Sequence, residues 1–244
     1  MTALTGIVLV TGTDTGVGKT ITTAAIAAAA TASGVRTAVV KPAQTGIDPS
    51  YGEVPDMAVV ARLAAPATTV TLAEYPDPLA PTAAARVAGL PPLDMFTIID
   101  QVKGIAAEHE LTLVEGAGGL LVPMGLHPGG ATWSLADVAV ALSAPAVVVA
   151  RAGLGTLNHT ALTLEAMARR NIAGRVVIGS WPSRPELVHF ANLSDLPEDL
   201  DGLLPEGAGN IEPGVFRRSA PGWLSPALYG DCDDPRTLTD LDED

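Results

Sequence analysis

Residues 12–20, written GTDTGVGKT, contain side chains and glycines that can hold a phosphate group. The glycines permit a tight turn, and the helix that follows presents backbone N–H groups to an anion. The phosphate-binding pattern G-x-x-x-x-G-K-[ST] uses its lysine on the β- and γ-phosphates and its hydroxyl on Mg²⁺. Gly12 lies one residue too far from Gly18 for this pattern, but the Gly18-Lys19-Thr20 end is intact. We therefore predict a nucleoside triphosphate site with a lengthened loop, the alternative being a glycine turn without a ligand; its expected residues are Thr15, Gly16, Val17, Gly18, Lys19, Thr20 and Ile21.

A second cation follows another apolar run. Lys41 closes the run TAVVK, and Thr45 offers a hydroxyl in the next turn. The chain has three lysines against eleven arginines, which suggests that lysine is kept where a compact ammonium is needed. A lysine whose charged end only reaches solvent is the alternative.

A carboxylate closes the run LTLVE at Glu115. P-loop enzymes keep a second metal contact at such a strand end. Gly116 and Gly118 then let the backbone approach a ligand closely, although a glycine turn beside a solvated glutamate remains possible. Asp56 opens the helical segment DMAVVARL, where it is either a second carboxylate for the site or a simple N-cap.

A further glycine-rich connection, RAGLGTLNHTALTLEA, leads into a helix. Its N-terminus, at Gly155 and Asn158, is expected to attract a carboxylate or a phosphate. His159 is interpreted as a structural histidine. The other histidines show neither metal-ligand spacing nor a hydrolase motif.

The elements that must position these residues alternate between strands and helices. Apolar runs at residues 6–10, 37–40, 111–114, 146–150 and 176–179 predict strands buried on both faces. Residues 20–32, 94–109, 134–142 and 156–170 have helical character. The expected fold is therefore α/β and P-loop NTPase-like, with three layers, a mostly parallel central sheet and helices on both faces. Ligands bind beyond the carboxyl ends of such strands, and residues 75–93 are expected to form an active-site loop containing a helical turn.

Composition sets further limits. The 244 residues suit one domain, expected at residues 1–226, followed by an acidic tail at residues 227–244 that is expected to be flexible.

The net charge of −13 argues against a nucleic-acid groove. No run approaches the roughly 18 to 20 apolar residues of a membrane helix, and no basic leader precedes the first strand, so we expect no membrane contact and a cytoplasmic protein. The single cysteine, Cys232, excludes an intramolecular disulfide framework.

The motifs GTDTGVGKT, KPAQTG, VEGAGGLLVP and GLGTLNHTALTLEA stand in this order behind successive strands. With them the chain resembles the dethiobiotin synthetase family, whose P-loop carries the same extra residue. The resemblance implies a homodimer with shared active sites that uses ATP, CO₂ or bicarbonate, and Mg²⁺. It implies carboxylation of 7,8-diaminopelargonic acid to a carbamate, activation as a carbamic–phosphoric anhydride, and ring closure, with release of ADP and phosphate.

The resemblance also implies roles for particular residues. Lys19 and Lys41 are the expected catalytic cations. The expected metal ligands are Thr20, Asp56 and Glu115; the expected substrate residues are Thr45, Gly118, Gly155 and Asn158, the last two serving the other subunit of the dimer. The nucleotide is expected to contact Gly116, Gly118, Gly179, Ser180, Pro205, Glu206 and Gly207, in addition to the P-loop.

Gly179 and Ser180 depart from the family, which commonly has an adenine-reading side-chain pair at this place. We therefore expect backbone atoms to read the base and other nucleoside triphosphates to be tolerated.

Two other functions share the fold group. A ParA/MinD-like partner-binding switch has a second lysine early in its P-loop, where this chain has Thr13, Asp14 and Thr15. The synthetase domain of a cobyrinic-acid amidase normally continues into a glutaminase domain with a catalytic cysteine, whereas Cys232 lies alone among acidic residues.

Overall fold

A seven-stranded parallel sheet forms the centre of the protein in a computed structural model that describes residues 3–52, 54–196 and 200–239. The strands are β1 (Gly6–Gly12), β2 (Thr37–Lys41), β3 (Gln44–Thr45), β4 (Thr68–Thr71), β5 (Glu74–Tyr75), β6 (Leu111–Gly119), β7 (Gly125–Leu126), β8 (Thr132–Trp133), β9 (Ala146–Ala150), β10 (Gly174–Trp181) and β11 (Leu200–Pro205). The strand order of the sheet is β11-β10-β9-β1-β6-β2-β4, and two short two-stranded pairs, β3-β5 and β7-β8, lie outside it.

Helices cover both faces of this sheet. They are α1 (Lys19–Ala32), α2 (Asp56–Ala64), α3 (Pro81–Ala88), α4 (Met95–Ala106), α5 (Leu135–Leu142), α6 (Thr156–Ala168), α7 (Leu187–Asp195) and α8 (Pro213–Ser219). In β1 the side chains of Val8 and Val10 pack with α1, α2 and α8, whereas Leu9 packs with α4 and α5 on the opposite face. The three-layer parallel α/β fold predicted from the apolar runs is therefore confirmed. Among the described residues, no helix is both long and apolar enough to cross a membrane.

The register of the central strands brings the predicted charged residues to one edge. Val10, two residues before the P-loop begins, pairs with Glu115 across β1 and β6. On the other side of β6, Val40 of β2 pairs with Val114. Lys41 and Glu115 therefore follow at the same level, directly beside the loop that leads into α1.

Two strands of the sheet were not expected from the sequence. The segment TTVT of β4 is half-buried at one edge and polar at three of its four positions. The segment LDGLLP of β11 contains a glycine and the buried Asp201, which is 3% exposed and accepts hydrogen bonds from Arg175 and Ser225. An apolar-run criterion misses both strands because their polar side chains are accommodated by edge position or by specific partners.

Residues 75–93 contain the helix α3 rather than a single helical turn. The expected acidic tail also differs in its first half. Ala227 and Leu228 are each 1% exposed within the core, and the Tyr229 hydroxyl donates to the carbonyl of Leu4. A 3₁₀ turn at Pro235–Thr239 follows, so ordered structure extends beyond residue 226; residues 240–244 of the expected tail lie outside the described residues.

Candidate active site

The P-loop connects β1 to α1 and is shaped by glycine. Gly18 is the N-cap of α1 with a φ of 96°, a left-handed conformation that favours glycine. A Cβ atom at Gly18 would also lie 2.5 Å from the carbonyl oxygen of Gly179. The Lys19 side chain, 8% exposed, folds back across the loop and donates to the carbonyl of Asp14 at 2.9 Å. The loop therefore has the shape expected for phosphate binding, with its lysine at the N-terminus of α1.

Beside this loop, one buried carboxylate is shared by two donors. Glu115 Oε1 accepts from Thr20 Oγ1 at 2.9 Å and from Lys41 Nζ at 2.7 Å. Asp56 faces the same two groups, with Oδ1 at 3.0 Å from Thr20 Oγ1 and Oδ2 at 2.5 Å from Lys41 Nζ. Lys41 also donates to the carbonyl of Gly116 at 3.2 Å. Residues from β2, β6, α1 and α2 therefore meet at a single point.

The electrostatics of the two lysines differ. Burial of Lys41 alone lowers its pKa, but Glu115 and Asp56 outweigh burial, and the net pKa is raised. Burial lowers the pKa of Lys19, and repulsion from Lys41 lowers it further. The neighbouring carboxylates therefore stabilise Lys41 as an ammonium. The ammonium of Lys19 is instead stabilised when a negatively charged ligand binds beside it.

The residues present fit a hard divalent cation. Glu115 is completely buried, and its Oε2 atom has no hydrogen-bond partner, so a carboxylate oxygen is held away from water without a donor. Oxygen ligands from carboxylates and a hydroxyl suit Mg²⁺, which usually takes its remaining ligands from phosphates and water. Among the described residues no cluster of three or more His, Cys, Asp or Glu side chains could hold a metal. Thr20, Asp56 and Glu115 would hold the ion as a two-carboxylate, one-hydroxyl set.

A cavity of about 620 Å³ opens in front of this cluster. It brings together most of the residues predicted for phosphate, metal and substrate, and its other wall is formed by residues 78–81, which precede and begin α3. The predicted residues that line it are Thr15, Gly16, Gly18, Lys19, Thr20, Ile21, Lys41, Thr45, Asp56, Glu115 and Gly118.

The other predicted residues lie outside this lining. Gly179 belongs to β10 and packs against the back of the P-loop: a Cβ atom there would lie 2.1 Å from the carbonyl oxygen of Val17. Glu206 is tied to the end of the same strand, since its N–H donates to the carbonyl of Trp181. Hydrogen bonds from the backbone and then the side chain of Ser183 lower the pKa of Glu206. The remaining predicted residues beyond the cavity are Val17, which is buried in the core, and Gly116, Ser180, Pro205, Gly207, Gly155 and Asn158.

Asp56 does not act as the N-cap of α2, which was one of the two predicted roles. Pro55 is the N-cap and offers no side-chain hydrogen bond, while Asp56 is the first helical residue and turns its carboxylate to Thr20 and Lys41. Sequence reasoning also missed Gln44, whose side chain accepts from the Asp56 N–H. Its place inside the quoted KPAQTG motif was the only signal available.

The fold and the site together define a P-loop NTPase-like α/β protein. Residues 7–199 match the family model described as an AAA domain. The fold is shared with a ParA family ATPase from Chlorobium tepidum TLS (TM-score 0.53, 10% identity, 92% of this chain and 96% of that one). It is also shared with a chain of the MinC:MinD cell division protein complex of Aquifex aeolicus (TM-score 0.50, 15% identity, 96% of each chain). These likenesses concern the fold alone.

Closer relatives narrow the class. The chain is 52% identical over 232 residues to the ATP-dependent dethiobiotin synthetase BioD of Streptomyces avermitilis, covering 93% of this chain and 95% of that one. It is 53% identical over 229 residues to the protein of the same name from Saccharopolyspora erythraea, covering 92% and 97%. The chain belongs to the dethiobiotin synthetase family.

Proposed function

We propose that this protein is an ATP-dependent dethiobiotin synthetase, a ligase that converts 7,8-diaminopelargonic acid and CO₂ or bicarbonate into dethiobiotin. The observation that carries the proposal is the meeting of Lys19, Lys41, Thr20 and two carboxylates at one end of a cavity large enough for two anions. In this reaction a carbamate must approach the γ-phosphate of ATP, so concentrated positive charge is the main requirement.

Each residue has a distinct part in that chemistry. Lys19 lies at the cradle and neutralises the β- and γ-phosphates. Lys41 lines the same cavity as the P-loop and Thr45, and there its ammonium orients the carbamate oxygen that attacks the γ-phosphate. Mg²⁺, held by Thr20, Asp56 and Glu115, supplies further charge neutralisation of the phosphates. That attack releases ADP and leaves a carbamic–phosphoric anhydride. The second amine then attacks the carbonyl carbon of the anhydride, loses a proton and displaces phosphate, which closes the ring. Holding carbamate and phosphate in line contributes up to about 7–11 kcal/mol through avoided entropy loss.

The homodimer belongs to the same proposal. Gly155 and Asn158 lie outside the cavity that Lys41 lines, as expected of residues that serve the active site of a second copy. Exposed leucines lie on α6, on the loop before it and on the neighbouring helix α7: Leu154 is 84% exposed, Leu162 56% and Leu187 85%. Apolar side chains this exposed gain stabilisation when a second copy covers them. Light scattering of the purified protein tests this, and a monomer at all concentrations would contradict it.

The experiment for the reaction is a phosphate-release assay. We expect release of phosphate from ATP only when both the diamine and bicarbonate are present, together with formation of dethiobiotin by mass spectrometry. Release that ignores the diamine would instead favour a ParA/MinD-like switch. Release dependent on glutamine or ammonia would favour an amidase-type synthetase.

A further inference from the structure

The side chain of Gln44 joins two parts of the site that the proposed chemistry treats separately. Its Oε1 atom accepts from the backbone N–H of Asp56 at 3.1 Å, and its Nε2 atom donates to the carbonyl of Thr45 at 3.1 Å. One end of an amide only accepts and the other only donates, so these two partners together fix its orientation. Gln44 thus links α2, which carries the predicted metal ligand Asp56, to the turn that carries the predicted substrate residue Thr45.

The helix α2 depends on an external acceptor at its start. The first N–H groups of a helix have no partner within the helix, and Pro55, the N-cap, supplies no side-chain acceptor. Gln44 provides one from 12 positions earlier in the chain. Between the two lies a connection whose described residues contain only the short 3₁₀ turn Pro49–Tyr51. The start of α2, and with it the Asp56 carboxylate, is therefore anchored across this connection by a side chain.

Gln44 is itself firmly placed. Its N–H donates to the carbonyl of Ala73 at 2.9 Å, and it pairs with Glu74 in the β3-β5 ladder. Lys41 also contacts Asp56, but through the carboxylate that would hold the metal. The Gln44 bond goes to the backbone of Asp56 instead. It is consequently compatible with a metal on the carboxylate.

We propose that Gln44 is a positioning residue that orients the Asp56 carboxylate for divalent-cation binding. Through its hydrogen bond to the Thr45 carbonyl, Gln44 also fixes the position of Thr45, a predicted substrate residue, relative to Asp56. The part of this inference that concerns the substrate rests on the proposed function, whereas the part that concerns the metal is about cation binding alone. Groups that orient a metal ligand typically change metal affinity by 10- to 100-fold when removed. We expect about 10-fold here because one neutral hydrogen bond to Asp56 is lost.

The experiment measures Mn²⁺ binding by electron paramagnetic resonance in the presence of a non-hydrolysable ATP analogue and without diamine. Gln44→Met keeps the length of the side chain and removes both hydrogen bonds, so we expect Mn²⁺ to bind about 10-fold more weakly. Affinity for the metal-free analogue should stay within twofold of wild type. Gln101→Met is the matched control, because Gln101 is exposed on α4 and does not line the cavity.

Gln44→Glu separates the two bonds. A carboxylate still accepts from the Asp56 N–H but cannot donate to the Thr45 carbonyl. We expect Mn²⁺ affinity equal to or tighter than wild type, together with a KM for the diamine raised several-fold. If Gln44→Met fails to fold, this variant decides alone: Mn²⁺ binding weaker than in wild type, or an unchanged KM for the diamine, overturns the inference.

Three results would overturn the inference: Mn²⁺ affinity of Gln44→Met within twofold of Gln101→Met, equal weakening in Gln44→Glu and Gln44→Met, or no Mn²⁺ binding by the wild-type complex. Failure of the proposed function gives a different pattern. In that case the Mn²⁺ results hold, but wild-type protein makes no dethiobiotin.

Discussion

Replacing Lys41 by methionine tests the charge balance at the centre of the site. The substitution keeps the length of the side chain but removes an ammonium that is 4% exposed and lies 2.7 Å from the fully buried Glu115. Removing one partner of a buried ion pair costs about 3–5 kcal/mol, since the other charge is left uncompensated. In metal-free buffer the free energy of unfolding should fall by that amount. A chain of this size loses about 2–4 °C of Tm per kcal/mol, so the expected drop is about 6–20 °C.

The same variant should respond differently to a divalent cation. With the ammonium gone, both carboxylates are open to Mn²⁺, and a ligand at 100 times its Kd adds about 2.7 kcal/mol to stability. Scanning calorimetry with and without Mn²⁺, in the absence of nucleotide, measures this effect. We expect a larger rise of Tm in Lys41→Met than in wild type. Turnover should be lost while ATP affinity is largely retained, as measured by calorimetric titration.

Lys103→Met is the control, because Lys103 is exposed on α4 and its replacement should change stability by no more than about 0.5 kcal/mol. The reasoning is refuted if the two variants melt within 2 °C of each other, or if Mn²⁺ raises the Tm of wild type and of Lys41→Met equally. Near-normal kcat in Lys41→Met would remove Lys41 from the chemistry.

Three further outcomes follow from the geometry. Thr20→Val, which removes the hydroxyl facing both carboxylates, should weaken Mn²⁺ binding to the ATP-analogue complex at least 10-fold, whereas Thr20→Ser should stay near wild type. Gly179→Ala puts a Cβ atom 2.1 Å from a P-loop carbonyl. It should raise the Kd for ATP at least 10-fold and lower the free energy of unfolding by about 1–3 kcal/mol. The control is Gly104→Ala, whose Cβ atom meets nothing within 4 Å in α4 and should not destabilise the protein. Comparison of kcat/KM for ATP, CTP and GTP should show tolerance of more than one base, because Gly179 has no room for a base-reading side chain; a strict preference for ATP would contradict this.

The residues predicted for phosphate and metal binding, including both lysines, could be found from the sequence because each one stands in a recognisable local pattern. Lys41 and Glu115 are lone charges that close apolar runs, and the carboxyl ends of neighbouring parallel strands must meet at one edge. What could not be predicted was the sharing of Glu115 Oε1 by Thr20 and Lys41, which depends on the pairing of β6 with both β1 and β2. Adjacency of strands in space is a property of topology that no local pattern carries.

Gln44 escaped prediction for a related reason. An amide side chain has no preferred partner, and its role arises only when the connection between residues 46 and 55 returns α2 to the turn after β2. The edge strand β4 and the strand β11 were missed because their polar residues break an apolar run. Asp201 shows the cause directly: it is buried with Arg175 and Ser225 as partners, and neither is close to it in sequence.

The site divides along the sheet into a part proposed for phosphoryl transfer and a part predicted to face the base. The carboxylates and lysines gather at the ends of β2 and β6, whereas Gly179 and Glu206 lie at the ends of β10 and β11, with the P-loop between them. The two parts touch where Gly179 packs against Val17 and Gly18, and again where Gly209 packs against Ile21 and its carbonyl accepts from Arg62 of α2. We expect that side chains in the part predicted to face the base can change without moving the lysines or the carboxylates only where these contacts, and glycine at position 179 in particular, are kept.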